Sequence, residues 1–344
     1  MTTEHSRTTP LTVPRPEPFT LLEAHSEHSS AFLALNSGNE HFISTGTAGM
    51  VTYRPHGSRY WVQFSEPVAP EHERATLQRE FADIARARGK RVIAVQLTKQ
   101  AVERSHTTGV INQFGCSYSI SLPDFTLRGK KFVKTRNMIT RSRREGVTVS
   151  EVTVDHLLSD TDLARQLDDV DATWLRSKGR HVKAMEFLVG QRGGPAQKHR
   201  RLFVARHHDR VVAYISYSPV FGSQPGWLYD LTRRHPDAPP GAIEHVFAEA
   251  AHVFADESAG WIHLGLTPFV GLEPDHAFTD RQSALLGRSL DFVRNHGDRL
   301  YPARSQLSFK LKWHPHVISP EYVCFPKHLR VSDIWTLARI TNSV

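Results

Sequence analysis

One order of secondary structure occurs twice along this chain, and that order limits the folds open to it. In the first half, apolar alternation predicts strands over 41–46, 50–54 and 59–64. A helical stripe of Leu77, Phe81, Ile84 and Arg88 over 71–88 follows, with Gly89 placed to end it. A strand over 91–97, a helix over 99–112 and a strand over 116–122 complete the set. In the second half, a helix carrying Leu163, Leu167, Val170 and Trp174 on one side leads into strands over 202–206, 211–218 and 226–231. A helix over 242–254, a strand over 261–266, a helix over 281–296 and a strand over 306–313 come next. Three strands, a helix, a strand, a helix and a strand therefore appear twice, without residue-level identity between the copies. An α/β chain of two similar halves is expected.

The 344 residues, 39% hydrophobic and 23% charged, suffice for two globular domains. Residues 1–19 are rich in Thr and Pro and read as a disordered leader, not a signal peptide. The expected division is an N-terminal domain over 20–127, a basic connecting helix over 128–150 and a catalytic domain over 151–344. Cys116 and Cys324 are the only cysteines, so neither a disulfide framework nor a structural zinc site is indicated, and a reducing cytoplasm is the expected setting. No stretch approaches the roughly 20 apolar residues of a spanning helix.

Charge narrows the partners. A formal net charge of +8 and a pI near 9.6 attract phosphate-rich ligands, whether RNA, DNA or an anionic membrane. Between Arg128 and Arg144 lie eight basic residues and no acid, including Lys130, Lys134, Arg136, Arg141 and Arg144. Wound as a helix, this segment can follow a phosphate backbone, with backbone contact favoured over base stacking because aromatic residues are sparse. The alternative is a solvated helix between domains. If 306–313 is a strand, Leu307, Phe309, Leu311 and Trp313 share one face, and Lys310 and Lys312 the other. Lysines on an edge strand also discourage edge pairing, which is the competing explanation.

The duplicated order is that of the GNAT acyltransferase fold. Acetyl-CoA-dependent members place a glycine-rich loop between the central strand and the next helix, where backbone N–H groups hold a pyrophosphate. Here the corresponding stretches are SEPVAP over 65–70 and TRRHPD over 232–237, and their prolines remove donors. No acetyl-CoA cofactor is expected, so the activated acyl group must come from another donor. The pairs Glu103/His106 and Glu249/His252 have a spacing used in di-iron bundles, but the strand-rich pattern argues against that architecture, and no metal is expected. No Gly-x-Ser-x-Gly elbow, Walker loop or dinucleotide fingerprint is present.

The strings YDLTRRHPDAPPGAIEHVF, WIHLGLTPFVGL and YPARSQLSFKLKWHPHVISPEYVCF, in this order, resemble the catalytic domain of the phosphatidylglycerol lysyltransferases, the multiple peptide resistance factor family. The resemblance extends from about residue 20 and includes SEPVAPEHER, WLRSKGRHVKAMEFLVG and LRGKKFVKTRNMITRSRREG. It implies two tandem GNAT-like domains and transfer of an amino acid from charged tRNA to an acceptor. Because the multi-span portion of the membrane members is absent here, the expected acceptor is a small soluble amine or hydroxylamine. The model for that expectation is a soluble, natural-product branch that moves serine from seryl-tRNA. Peripheral aminoacylation of phosphatidylglycerol, with transient contact to an anionic membrane, and non-catalytic tRNA binding are the alternatives; DNA is not an expected partner.

The same resemblance suggests roles for single residues. Asp230 would hold the donor α-ammonium group or help to deprotonate the acceptor, unless it is a loop carboxylate paired with Arg233 or Arg234. Arg233 would clamp a terminal tRNA phosphate, and Glu244 would face the site, or be favoured where it is by the helix dipole. Lys310 and Lys312 would stabilise the oxyanion or hold the terminal phosphates, with Arg304 as a further candidate for that anion.

Overall fold

The computed structural model describes residues 16–104, 109–178, 186–278, 280–283, 286–287 and 303–342, and eleven strands join in one sheet. The first half supplies β1 (Glu40–Ile43), β2 (Met50–His56), β3 (Tyr60–Val68), β4 (Arg91–Thr98) and β5 (Val110–Ser121). The second supplies β6 (Thr148–Val152), β7 (Arg201–His207), β8 (Arg210–Val220), β9 (Gly226–Arg234), β10 (Trp261–Pro268) and β11 (Val317–Phe325). The helices are α1 (Pro18–His25), α2 (Glu71–Ala87), α3 (Lys99–Arg104), α4 (Val133–Arg144), α5 (Val154–Ser159), α6 (Thr161–Lys178), α7 (Ala242–Asp256), α8 (Ala303–Leu311) and α9 (Val331–Ile340).

The spatial order β1-β2-β3-β4-β11-β5-β10-β9-β8-β7-β6 explains the duplication. Along β1-β2-β3-β4-β11 the successive pairings are antiparallel, antiparallel, parallel and antiparallel. Along β7-β8-β9-β10-β5 they are the same. Each run thus ends on a strand from the other half of the sequence, and the two borrowed strands pair antiparallel at the centre. The architecture is the GNAT-like one expected, with the last strands exchanged.

Side-chain alternation gives both faces of the sheet a core. On one face Tyr118, Ile262 and Tyr217 pack with Phe247 of α7 and with Trp313, which follows α8. On the other, Leu228, Val220 and Val323 pack with Leu22 of α1, Leu33 and Ile340 of α9. α6 covers β7 and β8 through Leu163, Leu167 and Val170, and α2 covers β2 and β3 through Leu77 and Phe81.

Several expected elements are placed differently. The stretch 306–313 is not a strand: residues through Leu311 form α8, and the final strand is β11. Leu307, Phe309, Leu311 and Trp313 alternate as in a strand, yet the stretch winds as a helix, which brings residues three apart to one side. Lys310 and Trp313 turn inward with Leu307 partly buried beside them, while Ser305, Ser308 and Leu311 are exposed. α3 stops at Arg104, and β5 begins at Val110, inside what the pattern made helix. Residues 65–68 and 232–234 continue β3 and β9, so those segments are not loops. Of the leader, residues 18 and 19 belong to α1, where Phe19 stacks on His199 at 3.6 Å, and 1–15 lie outside the described residues. Most of the helix expected over 281–296, and His106 of the metal-like pair, also lie outside them.

Candidate active site

The parallel strands β9 and β10 pair only from Gly226/Trp261 to Leu228/His263 and then part. Both are irregular just past that point. β9 carries Asp230 as an extra residue between the partners of Tyr217 and Ser216, and β10 carries Leu264 as an extra residue before Gly265. Bulges re-aim side chains and carbonyls. The first turns Asp230 toward Ser218. The second is possible because Gly265 adopts φ +70°, and it frees the carbonyls of residues 265 and 266.

Asp230 is buried in a polar network. Ser218 Oγ and Arg200 Nε, the latter at 3.3 Å, both donate to its Oδ2. Arg200 Nη2 donates to Asn36 Oδ1 at 2.9 Å, and Asn36 Nδ2 in turn donates to the Val189 carbonyl at 2.9 Å. The guanidinium lies 5.0 Å from the centre of the Phe32 ring. Gly190 closes the site so tightly that a Cβ there would fall 2.0 Å from Asp230 Oδ1. Burial pushes the Asp230 carboxyl up, against the opposing pull of Arg200 and the Ser218 hydroxyl. Asp230 Oδ1 and Arg200 Nη1 make no hydrogen bond, so one acceptor and one donor stay unused in the same buried site. Asp230 is therefore ion-paired, but with Arg200 and not with Arg233 or Arg234.

Lys310 approaches the same parting of strands from the α8 side. Its Nζ donates to the Gly265 carbonyl at 2.7 Å and the Leu266 carbonyl at 2.9 Å, and lies 5.6 Å from the Tyr118 ring centre. Burial loosens its proton, while the nearby Glu321 of β11 helps to retain it. Glu321 is shifted upward by burial and held down by Lys310. Its Oε1 accepts from Ser117 Oγ and lies 3.6 Å from His28 Nε2. That short approach is not an ion pair near neutrality, because burial lowers the His28 imidazole to about 4 and keeps it uncharged. His263, likewise lowered to about 4 by burial, bonds Ser119 Oγ at 2.8 Å and the Gln224 carbonyl at 2.9 Å. From β8 to β11, buried polar side chains thus run across five strands. Asp230 and Lys310 do not touch; each has its own partners on either side of the opening.

The other candidates lie elsewhere. Arg233 is stacked 4.0 Å from the Trp174 ring centre and 3.6 Å from Asp171, a carboxylate that also accepts from Arg192 and Tyr214. Lys312 is paired with Glu244 at 2.6 Å beside Phe309, so these two candidates neutralise each other. Arg304 lies in the first turn of α8, and its side chain is outside the described residues. The basic segment forms a 3-10 turn, Lys130–Phe132, and α4, which rests on α7 where Gly241 approaches the Met138 carbonyl. Lys130, Lys134 and Arg144 are exposed, Arg141 pairs with Glu145 at 2.7 Å, and Arg136 donates to the Leu127 and Gly129 carbonyls. Glu249 accepts from Arg143, and among the described residues no group of three or more metal-ligating side chains converges.

Sequence reasoning missed Arg200, Ser218, Glu321, His28 and His263. Glu321 stands in a quoted string, SPEYVCF, whose strand the alternation did not single out. Arg200 gave no signal: it ends a 3-10 turn, Pro195–His199, far from Asp230 in sequence.

An exchanged GNAT-like sheet thus carries a buried polar network where two parallel strands part and, packed on α7, an exposed basic helix. The sequence pattern described as Phosphatidylglycerol lysyltransferase, C-terminal, matches residues 19–325. The chain belongs to that family. A family relative, the lysylphosphatidylglycerol biosynthesis bifunctional protein LysX of Mycolicibacterium vanbaalenii, is 32% identical over 157 residues, which are 46% of this chain and 14% of that protein. The chain thus spans about a seventh of that relative's length. Two solved structures share the fold. The C-terminal domain of a putative lysylphosphatidylglycerol synthetase from Agrobacterium fabrum has a TM-score of 0.74 at 21% identity, covering 95% of both chains. L-PGS from Bacillus licheniformis has a TM-score of 0.74 at 20% identity, covering 94% of this chain and 96% of that one.

Proposed function

We propose that this chain transfers an aminoacyl group from aminoacyl-tRNA to phosphatidylglycerol. The observation that carries the proposal is the family match over residues 19–325, which includes every polar residue at the β9–β10 opening. The LysX relative and the Agrobacterium fabrum domain are named for lysylphosphatidylglycerol, and this favours a lipid acceptor over the small soluble amine or hydroxylamine expected from the sequence. Seryl transfer and a role in natural-product assembly find no support among them.

The ester of a charged tRNA is already activated. A glycerol hydroxyl oxygen attacks its carbonyl carbon, the bond to the terminal ribose oxygen breaks, and the hydroxyl proton ends on that ribose oxygen. No covalent enzyme intermediate and no acetyl-CoA enter the scheme. Lys310 has three N–H donors, of which two are held by the residue 265 and 266 carbonyls, leaving a third for the oxyanion. Asp230 Oδ1 offers an acceptor to the donor's α-ammonium group. Alignment of the reactants contributes about 7–11 kcal/mol and an oxyanion donor about 3–4 kcal/mol. The exposed lysines and arginines of α4 and its preceding turn hold the tRNA backbone.

The test uses purified protein, a full panel of tRNAs charged with labelled amino acids, and phosphatidylglycerol dispersed in detergent. Label entering the organic phase is the expected result. Label that stays on tRNA, or reaches only an added amine or hydroxylamine, overturns the proposal.

A further inference from the structure

α9 carries a second apolar stripe on its outer side. Its inward face carries Asp333 (0% exposed), Thr336 (3%) and, at its last turn, Ile340 (6%), whereas Val331 (88%), Ile334 (41%) and Trp335 (56%) face outward. These three and Ala338 have the i, i+3, i+4, i+7 spacing of a single helical stripe. Polar bonds, together with Ile340 and Leu337 packed against the core, and not the outward stripe, hold the helix to the body. Arg91 donates twice to Asp333, Nε to Oδ1 and Nη2 to Oδ2, each at 2.7 Å. Tyr60 Oη donates to Ser332 Oγ at 2.7 Å. Asp333 also caps the helix by accepting from the Arg330 N–H at 2.9 Å. The apolar stripe is thereby left for something outside the described residues.

The charge around the stripe says what. Lys327, Arg330 and Arg339 are exposed, and the Arg339 guanidinium lies 5.2 Å from the Trp335 ring centre. Arg59 and Lys90 immediately precede Tyr60 and Arg91, the two residues that anchor the helix. The acids nearby are already engaged: Asp333 by Arg91, and Glu186, whose N–H bonds the Thr341 carbonyl, by Arg54 at 3.5 Å. An apolar stripe containing Trp and flanked by lysines and arginines is the pattern of a helix lying in the headgroup layer of an anionic bilayer.

We propose that α9 and its flanking basic residues dock this protein on the surface of an anionic lipid bilayer. The docking deepens the lipid-acceptor reading above and gives it a route to the substrate, but the binding itself does not depend on catalysis. Vesicles of phosphatidylcholine alone, and of phosphatidylcholine and phosphatidylglycerol in equal parts, are sedimented with the wild-type chain, with the double variant Ile334→Glu/Trp335→Glu, and with Trp335→Phe. The wild type is expected to co-sediment with the anionic vesicles and to be released by salt. The double variant should bind at least about tenfold more weakly. A blue shift of fluorescence on vesicle addition should be present in the wild type and reduced in Trp335→Phe.

Equal binding by wild type and double variant overturns the proposal. So does a dimer that the double variant converts to monomer while vesicle binding persists, because the stripe would then be a contact between copies. Transfer to detergent-dispersed phosphatidylglycerol separates the two readings: the double variant should retain it. A wild type that docks through the stripe but transfers nothing to dispersed lipid leaves the docking intact and removes the proposed reaction.

Discussion

Arg200 and Asp230 share a site in which neither side chain is exposed, so removing one leaves the other as an uncompensated buried charge. Arg200→Met is expected to cost about 3–5 kcal/mol in urea unfolding, and adding Asp230→Asn should recover part of that loss. Lys310 tests a different link, from geometry to rate. Lys310→Met should lower kcat roughly a hundredfold with little change in the KM for charged tRNA, as loss of one oxyanion donor does. The histidines give a pH dependence. Because burial lowers His28 and His263 to about 4 from 6.5, the unfolded chain binds more protons than the folded one between those values. Stability is therefore full above about 6.5 and falls as the pH drops toward about 4, by on the order of 3 kcal/mol for each imidazole. Thermal unfolding across that range, compared with a His28→Gln/His263→Gln variant that should lose much of the slope, checks this. At this scale the sequence was partly legible. Asp230 stood out at the end of an apolar strand, but its partner did not, because a contact across 30 residues leaves no local pattern. The charge of Lys310 is plain in the sequence, but its burial depends on the fold around it.

The segment 128–144, which contains α4, holds eight basic residues; Lys130, Lys134 and Arg144 are exposed, Arg141 is exposed but paired with Glu145, and the value of the segment as an RNA track depends most on the first three. Replacing Lys130, Lys134 and Arg144 together by Glu should weaken tRNA binding and reduce the slope of log affinity against log salt by roughly 2–3, with the melting temperature little changed. Filter binding over a salt series measures both. Elements with long periodic patterns, such as α2 and α7, were readable within a residue or two, and the apolar stripe of α6 was readable too, because one face of each is fixed by the core. α8 was not, because its four apolar residues alternate as in a strand, whereas the side turned inward is Leu307, Lys310 and Trp313 at i, i+3 and i+6. β6 was missed for a related reason: it is a mostly exposed edge strand with a single buried residue, Val152.

At the scale of the molecule, the duplication visible in the sequence is real, but the exchange of final strands was not visible, since pairing partners lie some two hundred residues apart. β11 fills the gap between β4 and β5, so stopping the chain after residue 316 removes a strand from the middle of the sheet. Such a truncation should show no cooperative unfolding of either half, whereas two independent domains would leave the first one melting normally; circular dichroism against temperature distinguishes these outcomes. The exchange also has a temporal side. During synthesis, the rims of β4 and β5 emerge early and must wait, with their backbone groups unpaired, for almost the whole remaining chain to leave the ribosome. An unfilled slot of that kind invites pairing with a neighbouring nascent chain, so this protein should need a holding chaperone until its last strand arrives.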